Sequence, residues 1–184
     1  MTNPNSNQKN QLRTAIRRDL RAEVRSSAAI CEAVRQWLEA RPELRTVALF
    51  AALPGEVDLL PLLDWMPDRC WVFPRVCGDD LSFHQVREPA REFILTPPFG
   101  LREPIPALPQ VPLSTIDVFL CPGLAFDQGG ARLGRGGGFY DRALSKARLS
   151  ALKVGVCHPF QRAEEVFAEP HDVPMDVVIA GPAR

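Results

Sequence analysis

The sequence lacks an excess of charge of either sign. Lys plus Arg and Asp plus Glu each number 22, which gives a formal net charge of +0 at pH 7. Proteins that bind a nucleic-acid backbone or an anionic membrane surface usually present a basic field, and overall neutrality supplies none. We therefore expect neither partner. Any binding site for an anion must be local.

Signals for export and for disulfide formation are also missing. Residues 1–10 are polar, and no apolar run approaches the ~20 residues that span a membrane. The five cysteines are odd in number and form no CxxC pair, and several stand in apolar runs. They indicate reduced core thiols rather than metal ligands or disulfides. These absences favour a cytoplasmic protein, which we expect to be a monomer.

Short apolar runs alternate with helical patterns along the chain. The runs that predict strands are residues 46–53, 70–76, 81–86, 116–123, 152–157 and 176–180. Apolar residues at helical spacing follow Lys9, and three further helical segments are predicted at 26–40, 57–66 and 139–147. Residues 96–114 are rich in proline and predict a long extended loop.

This alternation predicts an α/β fold. We expect a mostly parallel sheet with helices on both faces, a Rossmann-like three-layer arrangement with right-handed crossovers. One catalytic domain is predicted over residues 8–184, after a disordered tail at 1–7. In such sheets ligands bind at the carboxyl ends of the strands.

The segment 129–144, GGARLGRGGGFYDRAL, lies between a predicted strand and a predicted helix. It is neither a GxGxxG fingerprint, which would need glycine at Phe139, nor a P-loop, which would need Gly-Lys-Ser or Gly-Lys-Thr. Backbone amides of successive glycines can converge on an anion, and Arg132 and Arg135 offer forked donors for phosphate oxygens. The segment predicts a phosphate-binding loop. The alternative is an exposed hairpin with solvated arginines.

Acidic residues near this segment admit two interpretations. Asp141, in the first turn of the predicted helix, could complement the helix dipole or hold Mg²⁺ beside phosphate oxygens. Asp172 and Asp176 are candidates for a second metal-associated acid, with helix capping or turn formation as the alternative. The three histidines have no ligand-like spacing and receive no catalytic role.

Six segments occur together in an order that resembles the 5-formyltetrahydrofolate cyclo-ligase family: KNQLR, LPGEVD, VFPRV, GLREP, the stretch from Ile116 to Leu144, and HDVPMD. The resemblance covers nearly the whole chain. It implies an ATP- and Mg-dependent ligase that converts 5-formyltetrahydrofolate to 5,10-methenyltetrahydrofolate with release of ADP and phosphate.

The resemblance also implies roles for individual residues. Arg135 and Asp141 are implied to be catalytic, and Asp141 and Asp172 to hold the metal, with Asp172 preferred to Asp176. The implied ATP site consists of Lys9, Arg13, Arg132, Leu133, Gly134, Arg135, Gly136, Gly137, Gly138, Phe139 and Tyr140. The implied folate site consists of Glu56, Arg135, Gly136, Gly137, Gly138 and Phe139.

Two other functions stay open at this point. One is a noncatalytic folate- or nucleotide-binding relative of the same family. The other is a phosphate-recognising isomerase or CoA-transferase on a related α/β fold, which would use no ATP. Binding alone would not need a metal-coordinating acid, so the presence of Lys9, Arg13, the glycine-rich loop and Asp141 together favours the enzyme.

Overall fold

The computed structural model of the chain describes residues 4–22, 26–97 and 100–181. Its helices are α1 (Pro4–Ala22), α2 (Ala28–Glu39), α3 (Pro61–Trp65), α4 (Pro89–Glu92) and α5 (Phe139–Ser145). Its strands are β1 (Thr46–Ala48), β2 (Cys70–Cys77), β3 (Asp80–Gln85), β4 (Phe93–Thr96), β5 (Leu101–Pro104), β6 (Gln110–Val111), β7 (Val118–Cys121), β8 (Ala125–Phe126), β9 (Arg132–Leu133), β10 (Leu152–Val156) and β11 (Val177–Ile179). Among these residues, no helix combines the length and the apolar character needed to cross a membrane.

Seven strands form one mixed sheet in the order β11-β10-β7-β1-β2-β3-β6. The five strands from β11 to β2 are parallel to their neighbours, whereas β3 and β6 pair antiparallel. The remaining strands form two small hairpins, β4 with β5 and β8 with β9. The prediction of a mostly parallel α/β sheet is confirmed.

Helices cover both faces of this sheet. Val118 and Leu120 of β7 pack into a core that includes residues of α2 and α3, while Phe119 and Cys121 pack into a second core with Ala143 of α5. Successive side chains of a strand point to opposite faces, so a strand covered on both sides reads as a continuous apolar run. The predicted three-layer arrangement is confirmed.

Helix α1 packs on the outside of the β8–β9 hairpin. Its buried residues Ile16 and Leu20 contact an apolar cluster with Leu124 and Leu133. The helix begins at Pro4, within the segment predicted as a tail, and residues 1–3 lie outside the described residues. This packing places the polar face of α1 beside the glycine-rich segment that follows β9.

Two predicted boundaries and one predicted loop were wrong. The strand at 46–53 ends at Ala48, and the helix at 57–66 is confined to Pro61–Trp65 with its proline in the first turn. The proline-rich segment 96–114 is not a continuous loop, because it contains β5 and β6. Strand β6 is at the sheet edge and β5 is in a two-stranded hairpin, positions that tolerate a residue without a backbone N–H.

Candidate functional site

A cavity of about 330 Å³ lies at the carboxyl ends of the central parallel strands. Its wall includes Phe50, just after β1, Pro122 and Gly123, just after β7, and Val76 near the end of β2. Parallel strands leave their carboxyl ends at one edge of the sheet, where the connecting loops can surround a ligand. The cavity is therefore in the place where such folds normally bind small molecules.

The phosphate-binding loop predicted from the sequence, which we define as Gly134–Gly138, forms part of the cavity wall. Arginine side chains fix three of its carbonyl groups. The Gly134 carbonyl accepts a hydrogen bond from Arg13 Nε at 3.1 Å, and the Arg135 carbonyl accepts one from Arg17 Nη2 at 3.0 Å. The Gly137 carbonyl accepts a third from Arg142 Nη2, also at 3.0 Å. The loop is thus held from outside by neighbouring helices.

The backbone amides of this loop are left available. Within the parts of the chain that the structure describes, the N–H groups of residues 135–138 donate to no backbone or side-chain acceptor. In a trans peptide the N–H group points opposite to the carbonyl, so fixing these carbonyls turns the following amides away from the arginines that hold them. Gly136 and Gly138 have φ values of 109° and 66°, which favour glycine. Such an arrangement can bind an anion.

Glu56 lies opposite the loop and pairs with Arg135. The Glu56 Oε1 atom accepts hydrogen bonds from Arg135 Nη2 at 2.6 Å and Nε at 3.1 Å, while its Oε2 accepts one from the Leu53 amide at 3.0 Å. The Glu56 side chain is 7% exposed, whereas that of Arg135 is 41% exposed. The carboxylate is thus fixed in the wall, and the guanidinium closes over it from the open side.

Asp141 holds the buried guanidinium of Arg132. Both Asp141 oxygens lie 3.1 Å from Arg132 Nη2, and Oδ1 also accepts the Val173 amide at 3.2 Å. The Arg132 guanidinium stands 5.3 Å from the ring centroid of Tyr140. Burial raises the pKa of the Tyr140 hydroxyl well above its ordinary value.

Lys9 bridges two acids at another part of the wall. Its Nζ atom lies 2.7 Å from Glu169 Oε2 and 2.6 Å from Asp172 Oδ2. Burial alone would raise the pKa of the Asp172 carboxyl, but hydrogen bonds from Lys9 and the Glu169 amide hold that pKa below its ordinary value. The Lys9 hydrogen bond likewise lowers the pKa of Glu169. The cluster is ionised at neutral pH.

The structure brings together every residue to which the sequence assigned a role. Those lining the cavity are Lys9, Arg13, Glu56, Arg132, Leu133, Gly134, Arg135, Gly136, Gly137, Gly138, Phe139, Tyr140, Asp141 and Asp172. Asp176, the alternative to Asp172, is not among the lining residues; its carboxylate accepts the Lys153 amide at 2.7 Å. The individual roles stay predictions.

Sequence reasoning missed several residues of the same wall. Glu169 and His171 line the cavity beside Asp172, and Arg102 and Glu103 of β5 line it as well. His171 had been given no role. His171 belongs to the HDVPMD segment, and Arg102 and Glu103 belong to the GLREP segment, so the family resemblance included these residues without giving them a role. For Glu169 the local signal is its nearness to Asp172 in the sequence.

Carboxylate oxygens in this wall suit a hard divalent cation. One donor atom each from Glu169, His171 and Asp172 lies within 4.8 Å of the others, although Lys9 already bonds both acids. The Asp141 contacts of 3.1–3.2 Å are longer than the ~2.7–2.9 Å of strong charge-assisted bonds, so this carboxylate retains capacity for another ligand. Mg²⁺ needs only one or two protein carboxylates beside phosphate and water, and the donor set fits it.

These features define an α/β protein whose candidate anion-binding site lies at the carboxyl edge of its sheet. The chain belongs to the 5-formyltetrahydrofolate cyclo-ligase family, because the sequence model of that family matches residues 5–181.

Relatives and solved structures agree with this assignment. The 5-formyltetrahydrofolate cyclo-ligase of Mycolicibacterium smegmatis is 38% identical to the chain over 93% of the chain and 92% of the relative. The enzyme of that name from Escherichia coli is 33% identical over 73% of the chain and 76% of the relative. The 5,10-methenyltetrahydrofolate synthetase of Aquifex aeolicus is 32% identical, with a TM-score of 0.77 over 94% of the chain and 89% of that structure. The 5,10-methenyltetrahydrofolate synthetase of Mycoplasma pneumoniae is 25% identical, with a TM-score of 0.75 over 93% of the chain and 97% of that structure.

Proposed function

We propose that the chain is an ATP- and Mg-dependent ligase that closes 5-formyltetrahydrofolate to 5,10-methenyltetrahydrofolate, releasing ADP and phosphate. The observation that carries the proposal is the loop Gly134–Gly138. Its amides from 135 to 138 have no acceptor among the described residues, and it lines the same cavity as the Glu56 carboxylate. Membership of the cyclo-ligase family supports the proposed reaction. The loop amides and the Glu56 carboxylate are groups that could bind a phosphate and a folate.

The phosphates of ATP would bind at the loop. Its free amides and the guanidinium of Arg135 are donors for phosphate oxygens, and Arg13 and Lys9 line the same wall. Asp141 and Asp172 would hold Mg²⁺, which when bound neutralises phosphate charge. Phosphoryl transfer depends mostly on positioning and on stabilising this charge, which is what a fixed loop of donors provides.

The folate would bind against Glu56. A carboxylate accepts hydrogen bonds, and the pterin ring of a folate presents an amino group and a ring N–H side by side. The Leu53 amide donates a hydrogen bond to Glu56, which fixes the carboxylate, so the carboxylate can hold the pterin ring in one orientation. Phe139 offers an aromatic face within the same wall.

The bond changes follow from the chemistry of the formyl amide. The formyl oxygen of the folate takes the γ-phosphoryl group, so an O–P bond forms while the bond to the β-phosphate oxygen breaks and ADP leaves. The N10 lone pair then attacks the activated carbon. The C–O bond breaks with its electron pair departing on phosphate, and N10 loses its proton, which leaves the methenyl cation. Holding N10 against the carbon is the main task of the cavity wall.

We further propose that the chain acts as a monomer, without nucleic acid or membrane. All the residues assigned to both substrates lie in the wall of one cavity of a single chain. Measuring turnover against protein concentration tests this proposal, since a site shared between two copies would lose specific activity on dilution.

The decisive assay follows the absorbance of methenyltetrahydrofolate while purified protein is supplied with 5-formyltetrahydrofolate, ATP and Mg²⁺. We expect product only when all three are present, with one ADP formed per product. Folate binding without turnover would instead support the noncatalytic relative. Failure to bind either ligand would favour a phosphate-recognising isomerase or transferase.

A further inference from the structure

Arg102 of β5 lies at the boundary between two cavities. It lines the candidate site together with its neighbours Leu101 and Glu103, and it also lines a second cavity of about 600 Å³ on the side of α3, α4 and β4. Its side chain is exposed. Arg102 is therefore placed where a ligand held in the first cavity would extend toward solvent.

The Arg102 guanidinium differs from the other cationic groups of the candidate site. Lys9, Arg132 and Arg135 are paired with acids, and Arg13 donates to Asn10 and to the Gly134 carbonyl. Within residues 4–22, 26–97 and 100–181, by contrast, Arg102 has no hydrogen-bond or ion-pair partner. Its five donors are thus available to a ligand.

The adjacent acid does not neutralise Arg102. The Glu103 carboxylate is buried and directed to β2, where Oε1 accepts the Val76 amide at 2.9 Å and Oε2 lies 3.7 Å from Arg75 Nη1. Successive side chains of a strand point to opposite sides, which separates Arg102 from this pair. The second cavity is lined by apolar side chains and by Asp58 and Asp64, neither of which forms an ion pair with Arg102 in the described part of the chain. A guanidinium fork in this position suits a carboxylate on a ligand with an apolar body.

We infer that Arg102 binds a glutamate carboxylate of the folate substrate and so determines specificity for the glutamate-bearing form. This inference rests on the proposed function. A folate carries its pterin at one end and the carboxylates of its glutamate at the other, joined by an aminobenzoyl ring. With the pterin at Glu56, the charged end belongs at the solvent side of the cavity, where Arg102 lies without an acidic partner among the described residues.

The test compares two substrates on three variants. The substrates are 5-formyltetrahydrofolate and the carboxamide of 5-formyltetrahydropteroate, called the pteroate below, which lacks the glutamate and carries no carboxylate. The variants are Arg102→Ala, Arg102→Lys and Arg91→Ala, the last removing an 83% exposed arginine of α4 that pairs with Glu88. We expect Arg102→Ala to raise KM for the folate about two- to fivefold, as for one exposed charge pair, and to leave KM for the pteroate and for ATP unchanged. Arg102→Lys should restore part of the loss, and Arg91→Ala should behave as wild type.

Several results would overturn the inference. An equal rise in KM for both substrates would mean a general effect on the wall, and a rise in KM for ATP would mean a phosphate contact. Equal KM values for the two substrates with the wild type would mean that the glutamate is not recognised. Calorimetric binding of the same two compounds makes the same comparison without turnover. A chain that forms no product, but binds the folate more tightly than the pteroate and loses this preference in Arg102→Ala, would therefore contradict the proposed reaction and retain the role of Arg102.

Discussion

The Arg135 guanidinium covers the Glu56 carboxylate, with two nitrogens within 3.1 Å of a single oxygen. The two residues are 79 positions apart in the sequence. We assign Glu56 to the folate and Arg135 mainly to phosphate, so this ion pair joins the two substrate sites. A pterin amino group that binds Glu56 would compete with the Arg135 guanidinium and release it to bind a phosphate at the loop.

The first prediction concerns this coupling between the substrates. Wild-type protein should bind a nonhydrolysable ATP analogue about fivefold more tightly, or better, when 5-formyltetrahydrofolate is present, a typical size for linked sites. Glu56→Gln should weaken folate binding and reduce the enhancement to about one, because Arg135 is then free from the start. Calorimetric titrations with and without folate measure both quantities. Glu43→Gln, at an exposed position, is the control, and an undiminished enhancement in Glu56→Gln would refute the coupling.

The second prediction concerns Arg17, which does not line the cavity but donates to the Arg135 carbonyl at 3.0 Å. Arg17→Ala should raise KM for ATP severalfold with a smaller change in KM for folate, because one loop carbonyl loses the donor that orients the next amide. Arg17→Lys should recover part of the loss. Arg18→Ala removes the same charge from an 81% exposed side chain and should change neither constant. If Arg17→Ala and Arg18→Ala raised KM for ATP equally, Arg17 would act only through its positive charge and not through its hydrogen bond to the loop.

The third prediction separates a structural ion pair from an exposed one. The side chains of Arg132 and Asp141 are 4% and 14% exposed. Asp141→Asn leaves a buried guanidinium without its counter-charge and should lower the free energy of unfolding by about 2–3 kcal/mol, somewhat below the ~3–5 kcal/mol seen for fully buried pairs. Arg135→Ala, at a 41% exposed residue, should cost less than about 1 kcal/mol while lowering turnover about 100-fold. Urea unfolding and initial rates measure the two effects. A larger loss of unfolding free energy in Arg135→Ala than in Asp141→Asn would contradict the assignment of Arg132–Asp141 as the structural ion pair.

The fourth prediction concerns the cysteines. Burial raises the pKa of Cys31 to about 11 and the pKa of Cys121 and Cys157 to about 12, and it also raises the pKa of Cys70. At pH 8 a thiol with a pKa near 12 is ionised in only about one molecule in ten thousand. Cys77 is exposed, so a thiol reagent should give one rapid reaction that Cys77→Ser removes. A rapid phase that persists in this variant would show that a core thiol is accessible.

The secondary structure was predictable where the local pattern is unambiguous. The hairpin of β2 and β3 follows from two strand-like runs around Gly78, and the apolar runs of β7 and β10 identify buried parallel strands. The end of β1 was not predictable, because Leu49 and Phe50 remain buried after the strand ends. An apolar pattern reports burial, and burial continues here beyond the strand.

The candidate site was predictable only where its residues are neighbours in the sequence. The loop and Asp141 lie close together in the sequence, so their joint appearance in one wall follows from local order. Contacts between distant segments carry no such signal, since Lys9 meets Glu169 across 160 positions. Arg17 and Arg102 acquire their significance only from what the fold places beside them.

The most direct test of the central claim is a nucleotide titration followed by backbone amide NMR. We claim that the loop Gly134–Gly138 binds the terminal phosphates of ATP. Addition of a nonhydrolysable ATP analogue and Mg²⁺, compared with adenosine alone, should shift the amide resonances of Arg135, Gly136, Gly137 and Gly138 more than those elsewhere in the chain. Unchanged loop resonances, with the phosphate-dependent shifts confined to another part of the protein, would contradict the account.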